Sequence, residues 1–175
     1  MARLISSALL ATLFLVGCGS PPERSDPTPT ALQRGPVSAE QVLECLSELE
    51  TKAPVFIPEL RAPLVREGRI VVTIADLVSP TPAYRDVVSF DKAELSRRVE
   101  AMLEGSEVFA LATPAEAKPA LQLHLIVELY RGQAYVGRAL LDESPDHATV
   151  VIEARLFDAA GGGVEQSLAA HTIEQ

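Results

Sequence analysis

Side chains able to attack, ligate or pass a proton are few in this chain, and their spacing limits what each can do. Ser89-Phe90-Asp91-Lys92 has the S-x-x-K spacing that puts an amine one helical turn from a hydroxyl it could activate. The S-D-N and K-T-G companions of that motif are absent from the sequence, and Ser and Asp are also the residues a helix start requires. Helix capping is therefore the expected role. His124, His147 and His171 show no H-x-x-x-H spacing, so no metal site is expected. Gly161-Gly162-Gly163 lacks both the Lys-Ser/Thr pair and the following helix of a phosphate loop, and Asp142-Glu143 falls at a turn where carboxylates are solvated. Without an assembled acid, base and nucleophile, the sequence predicts a protein that is not an enzyme, needs no cofactor and works by binding.

The two cysteines stand in different surroundings. Cys45 lies on an apolar helical stripe and reads as a small buried hydrophobe. Cys18 closes Leu15-Val16-Gly17-Cys18, after one basic residue, Arg3, and an apolar run from Leu4 to Val16. That run has the layout of an export signal and is shorter than the roughly 20 apolar residues of a spanning helix. The stretch resembles the lipobox of bacterial lipoproteins. The resemblance implies cleavage after Gly17, acylation of Cys18 (palmitate among the chains) and a membrane anchor. Gly19, where an Asp would signal inner-membrane retention in enterobacteria, implies the outer membrane with the domain facing the periplasm; the inner membrane and the cell surface stay open. Loss of residues 1–17 removes Arg3 and no acid, taking the net charge from −9 to −10. Such a surface repels phosphates, so nucleic acid is not an expected partner. Cys45 would then be the only unmodified thiol, which precludes an intramolecular disulfide.

Residues 18–37 form a Pro-rich tether that reaches about 60 Å at roughly 3.1 Å per residue. A single domain, 38–175, follows. Ser38 and Gln41 make a capping box, and Val42, Cys45, Leu46 and Leu49 share one face of a helix predicted to run to about Lys52. Pro54, Pro58 and Pro63 are expected to forbid regular structure beyond it. Arg69–Leu77 is a β-branched central strand, Asp91 to Gly105 a helix with a second capping box to Glu94, and Glu107–Ala112 a short strand. Strand, helix and strand in that order predict a parallel pair with a right-handed crossover. Leu121, Leu123, Leu125, Val127 and Leu129 then alternate with polar and mixed residues; Gly132 turns the chain, Tyr135–Leu141 runs back, and Ala148–Phe157 alternates again. The Gly triplet makes a flexible hairpin tip before a weaker last strand, Val164–Ile173. The expected fold is α/β (α+β), a two-layer sandwich whose mixed sheet of about five to six strands carries two helices on one face.

In such a sheet ligands and partners favour the carboxyl end of a parallel strand, here the loop Ala75–Ala83 and the residues just after it. Ser79, Thr81 and Tyr84 are the predicted partner-binding residues. The order of elements and the run from Arg69 to Ala112 resemble the LpoB family of lipoproteins, penicillin-binding protein activators of the outer membrane, and more broadly TolB-amino-terminal-like and CsgG-like domains. The residues that carry the resemblance are Ile70–Leu77, Val78-Ser79-Pro80-Thr81, Leu95–Leu103, Val108-Phe109 and the closing strands with YVGRALLDE and ATVVIEARLFD. It implies regulation of peptidoglycan synthesis through a penicillin-binding protein. Ser79-Pro80 departs from the Asn that precedes the Thr in that family. A second expectation comes from the last strand: a self-associating assembly or secretion component of the outer membrane, pairing edge to edge.

Overall fold

A computed structural model describes residues 35–56, 64–80, 84–136, 139–142 and 145–174. Gly17, Cys18 and Thr81 lie outside the described residues. The elements are helix α1 (Ala39–Phe56), strands β1 (Val65–Arg66) and β2 (Arg69–Val78), helix α2 (Lys92–Gly105), then β3 (Phe109–Leu111), β4 (Leu121–Arg131), β5 (Gln133–Val136), β6 (Ala139–Asp142), β7 (His147–Phe157) and β8 (Gly163–Glu174). Six strands form one mixed sheet in the order β1-β2-β4-β7-β8, with β3 also on β2. The two helices pack on one face of it, as the sequence predicts.

Alternation fixes which face that is. On β4 the residues Leu123, Leu125 and Val127 are buried, while His124 and Ile126 between them are only half-covered. Antiparallel pairing sets Leu125 opposite Ala154 and Val127 opposite Ile152, so β7 turns the same face inward. Against it lie Val42, Cys45, Leu46 and Leu49 of α1 and Leu95, Val99 and Leu103 of α2. Each such Val or Leu side chain contributes about 1.5–3 kcal/mol by leaving water. The βαβ prediction holds as well, because β2 and β3 pair in parallel from Ile70–Phe109 to Val72–Leu111.

Local signals account for the helix starts. Gln41 Oε1 accepts from the Ser38 amide at 2.8 Å, and Asp91 Oδ1 accepts from the Glu94 amide at 2.8 Å. The end of α2 uses a long-range device. Ser106 Oγ accepts from the amides of Val108 (3.0 Å) and Phe109 (2.7 Å) and donates to the Glu50 carboxylate of α1. One buried hydroxyl thus ties both helices to the start of β3.

Four expectations need correction. Pro54 sits inside α1, which continues to Phe56. Its fixed φ suits a helix, and in the last turn it costs only the bond to the Glu50 carbonyl. Val37, placed at the end of the tether, is fully buried and bridges Val88, so it belongs to the packed domain. The segment from Tyr135 to Leu141 does not return along β4. It forms a separate hairpin, β5 with β6, and β7 takes the place beside β4, because only an eleven-residue strand matches the full length of its partner. Finally, Ala75 to Val78 still belong to β2. A bulge between Ile74 and Asp76 inserts one extra residue, which lets Ile74 and Leu77 both face the core despite their odd spacing.

Candidate functional site

The carboxyl end of β2 is built by three segments. β2 and β4 run in parallel from Val72–Leu121 to Val78–Ile126, so both strands deliver their last residues to the same end of the sheet. Past Val78, which is 40% exposed, Ser79 and Pro80 are half-buried. The chain is described again at Tyr84, which opens a tight turn: its carbonyl accepts from the amides of Val87 and Val88, each at 2.9 Å. Val87 and Val88 are buried and hold the turn to the core.

Arg131, the last residue of β4, grips that turn. Its guanidinium carbon stands 5.5 Å from the centroid of the Tyr84 ring, and Nη2 donates to Asp86 Oδ2 at 3.0 Å. The hydrogen bond from Arg131 holds the Asp86 carboxyl below its ordinary range. The sequence singled out Tyr84 and missed Asp86 and Arg131, since nothing local links residues so far apart. Val37 joins the same turn, its amide donating to the Val87 carbonyl at 2.8 Å and its carbonyl accepting from the Ser89 amide at 2.9 Å. Val37 therefore lies beside the turn that carries Tyr84 and Asp86, which Arg131 joins, while Ser79 lies at the end of β2.

The other candidates are placed apart from one another. Ser89 Oγ donates to the Val37 carbonyl at 3.3 Å, and Lys92 is the exposed first residue of α2. His124 lies on the open face, 4.8 Å edge-on to Phe157, whereas His171 is buried and pairs opposite core residue Val150 on the helix-covered face. Burial pushes the His171 imidazole below its ordinary value, with Glu44 drawing it the other way. Among the described residues no group of three or more His, Cys, Asp or Glu could hold a metal ion. Asp158, unremarked in the sequence, orders the Gly turn by accepting from the amides of Ala160 (2.9 Å) and Gly162 (2.8 Å).

No protein-family model, curated protein or solved structure matches this chain. The rim must therefore be interpreted from its own chemistry: a pinned aromatic ring, a cation shared between that ring and a carboxylate, and a hydroxyl residue at the other end of the loop. Such a set offers stacking, charge and hydrogen bonds, and no hydrogen bond between a base and a nucleophile is found there among the described residues. A second concavity, about 510 Å³, opens between the carboxyl ends of the helices and is lined by Glu50, Pro54, Met102, Ser106 and Val108. Ser106 and Glu50 there are engaged with each other. No helix among the described residues is long and apolar enough to cross a membrane.

Proposed function

We propose that this chain is a lipid-anchored lipoprotein of the bacterial cell envelope whose α/β domain binds another protein without catalysing a reaction. The observation that carries the reading is Leu15-Val16-Gly17-Cys18 behind its apolar run, which gives the chain an anchor and an address. The rim at the end of β2 supports the binding half of the proposal. Its residues are exposed or half-buried on a rigid base, the arrangement in which loops serve recognition. With the resemblance to LpoB-like activators, the partner is a penicillin-binding protein and the role is regulation of peptidoglycan synthesis at the outer membrane.

Two experiments test it. Metabolic labelling with palmitate should mark the wild-type chain and leave Cys18→Ala unlabelled; label on both, or on neither, removes the anchor. A photoreactive group at Thr81 in intact cells should then capture a penicillin-binding protein. Adducts between copies of this chain would instead support the alternative, a self-associating assembly or secretion component.

A further inference from the structure

The two long borders of the sheet are finished differently. On one, the border strand β3 has only three residues and the two-residue β1 pairs on the other side of β2, so neither is long enough to template another strand. Arg66 closes them further, donating through Nη2 to the Leu111 carbonyl at 2.7 Å and pairing through Nη1 with Glu116 at 2.7 Å. On the other border β8 runs for twelve residues, has no proline and no lysine, and among the described residues pairs only with β7. A bulge at Val164, between the pairs Leu156–Glu165 and Phe157–Gly163, breaks only its start and leaves the ten residues from Glu165 to Glu174 as a continuous edge.

The flank of β8 is acidic. Glu165 stands opposite the core residue Leu156, so it points to the helix-covered side of the strand. On that side α1 runs above β8, with Glu48 accepting from Ser167 Oγ at 2.7 Å and the exposed Glu44 one turn earlier. Lys52 Nζ lies 3.9 Å from the Glu48 carboxylate. Leu168 pairs opposite Glu153 and so faces away from the helices, half-buried, whereas Ala170 farther along, opposite Val151, is buried. A second copy would bring the same carboxylates on a chain of net charge −9, and the two acidic flanks would meet.

We propose that the β8 edge accepts an extended segment of a different protein in which lysine or arginine alternates with apolar residues. The added strand would place its cations beside Glu44, Glu48 and Glu165 and its apolar side chains beside Leu168, with backbone hydrogen bonds supplying affinity. This rests on the reading of the domain as a protein binder and names the chemistry of what it binds.

The test uses the full chain and two ten-residue peptides, one alternating Lys and Val, the other Glu and Val. Amide hydrogen exchange read residue by residue by NMR should slow along β8 with the Lys peptide alone. Affinity should fall as salt rises, and a Glu44→Gln, Glu165→Gln variant should bind about fivefold more weakly. Equal protection by the Glu peptide, protection elsewhere, or none at millimolar peptide would overturn the proposal, as would self-association that protects β8 without peptide. If Thr81 captures an envelope protein while β8 stays unprotected, the edge proposal fails and the protein-binding reading stands.

Discussion

The seam between α1 and the sheet and the rim at the end of β2 both join residues distant in sequence, but they do so in different surroundings. At the seam the donor residues are buried: Cys45 Sγ donates to the Ile152 carbonyl at 3.7 Å, Ser167 to Glu48, and Ser106 to Glu50. At the rim, Arg131 and Asp86 are 42% and 57% exposed and meet in water. A buried donor without a partner costs its full desolvation, whereas an exposed pair that breaks is resolvated. The seam thus holds one fold in place, and the rim's contacts can break and re-form at little cost to it.

The largest expected contrast comes from Cys45. Burial raises its thiol from an ordinary 9.0 to about 11. Below pH 9 the thiol is protonated whether the chain is folded or not, and no stability depends on it. As pH rises above 9 the unfolded chain ionises first, so stability falls until the folded thiol also ionises near 11. At about 1.4 kcal/mol per tenfold, the wild type should lose about 3 kcal/mol more than Cys45→Ala across that window in urea titrations. Equal slopes would mean that the seam admits water.

Ser106→Ala comes next. It strands the Val108 and Phe109 amides and leaves the Glu50 carboxylate without its hydroxyl, which should cost about 1–3 kcal/mol in denaturant unfolding. Ser79→Ala at the rim, measured alongside, should stay within about 0.5 kcal/mol of wild type. If the two variants were equally destabilised, the distinction between seam and rim would fail.

How legible these regions were follows from the range of their contacts. The period-two pattern of β4 and β7, the burial of Cys45 and the cap at Asp91 depend on neighbours or on one face, so sequence spacing predicts them. Ser106 meets Glu50 across 56 residues and Arg131 meets Asp86 across 45, and no local pattern encodes either contact. The bulge after Ile74 has no marker residue, since Ala75 and Asp76 fit an unbroken strand equally well. For the change from one strand to the pair β5 and β6, the sequence holds a signal in Gly137, a glycine inside what otherwise reads as one strand.

Acid gives a third contrast, within the seam itself. His171 is neutral by burial, and its folded value lies below the ordinary 6.5. As pH drops below 6.5 the unfolded chain takes up the proton first, so stability falls until the folded imidazole is also protonated. Above 6.5 the contribution is complete. Urea midpoints from pH 7.5 to 5 should decline in wild type and decline less in His171→Gln. A steeper decline in the variant would show that Glu44 outweighs burial at this site.

The smallest effect on folding belongs to Arg131→Ala, and it is the one that separates the two regions most sharply. The side chain it removes contacts the Tyr84 ring and Asp86 at an exposed rim, while the turn beneath keeps its own anchors in the Tyr84 carbonyl and the buried Val87 and Val88. Water replaces the lost partners, so the thermal midpoint should move by no more than about 2 °C. Without its cation, the Tyr84 ring should sample more orientations, and capture of a partner by the Thr81 probe should drop severalfold. A large fall in the midpoint would make Arg131 a structural residue, part of what holds the domain together. An unchanged midpoint with unchanged capture would move the binding surface away from the end of β2.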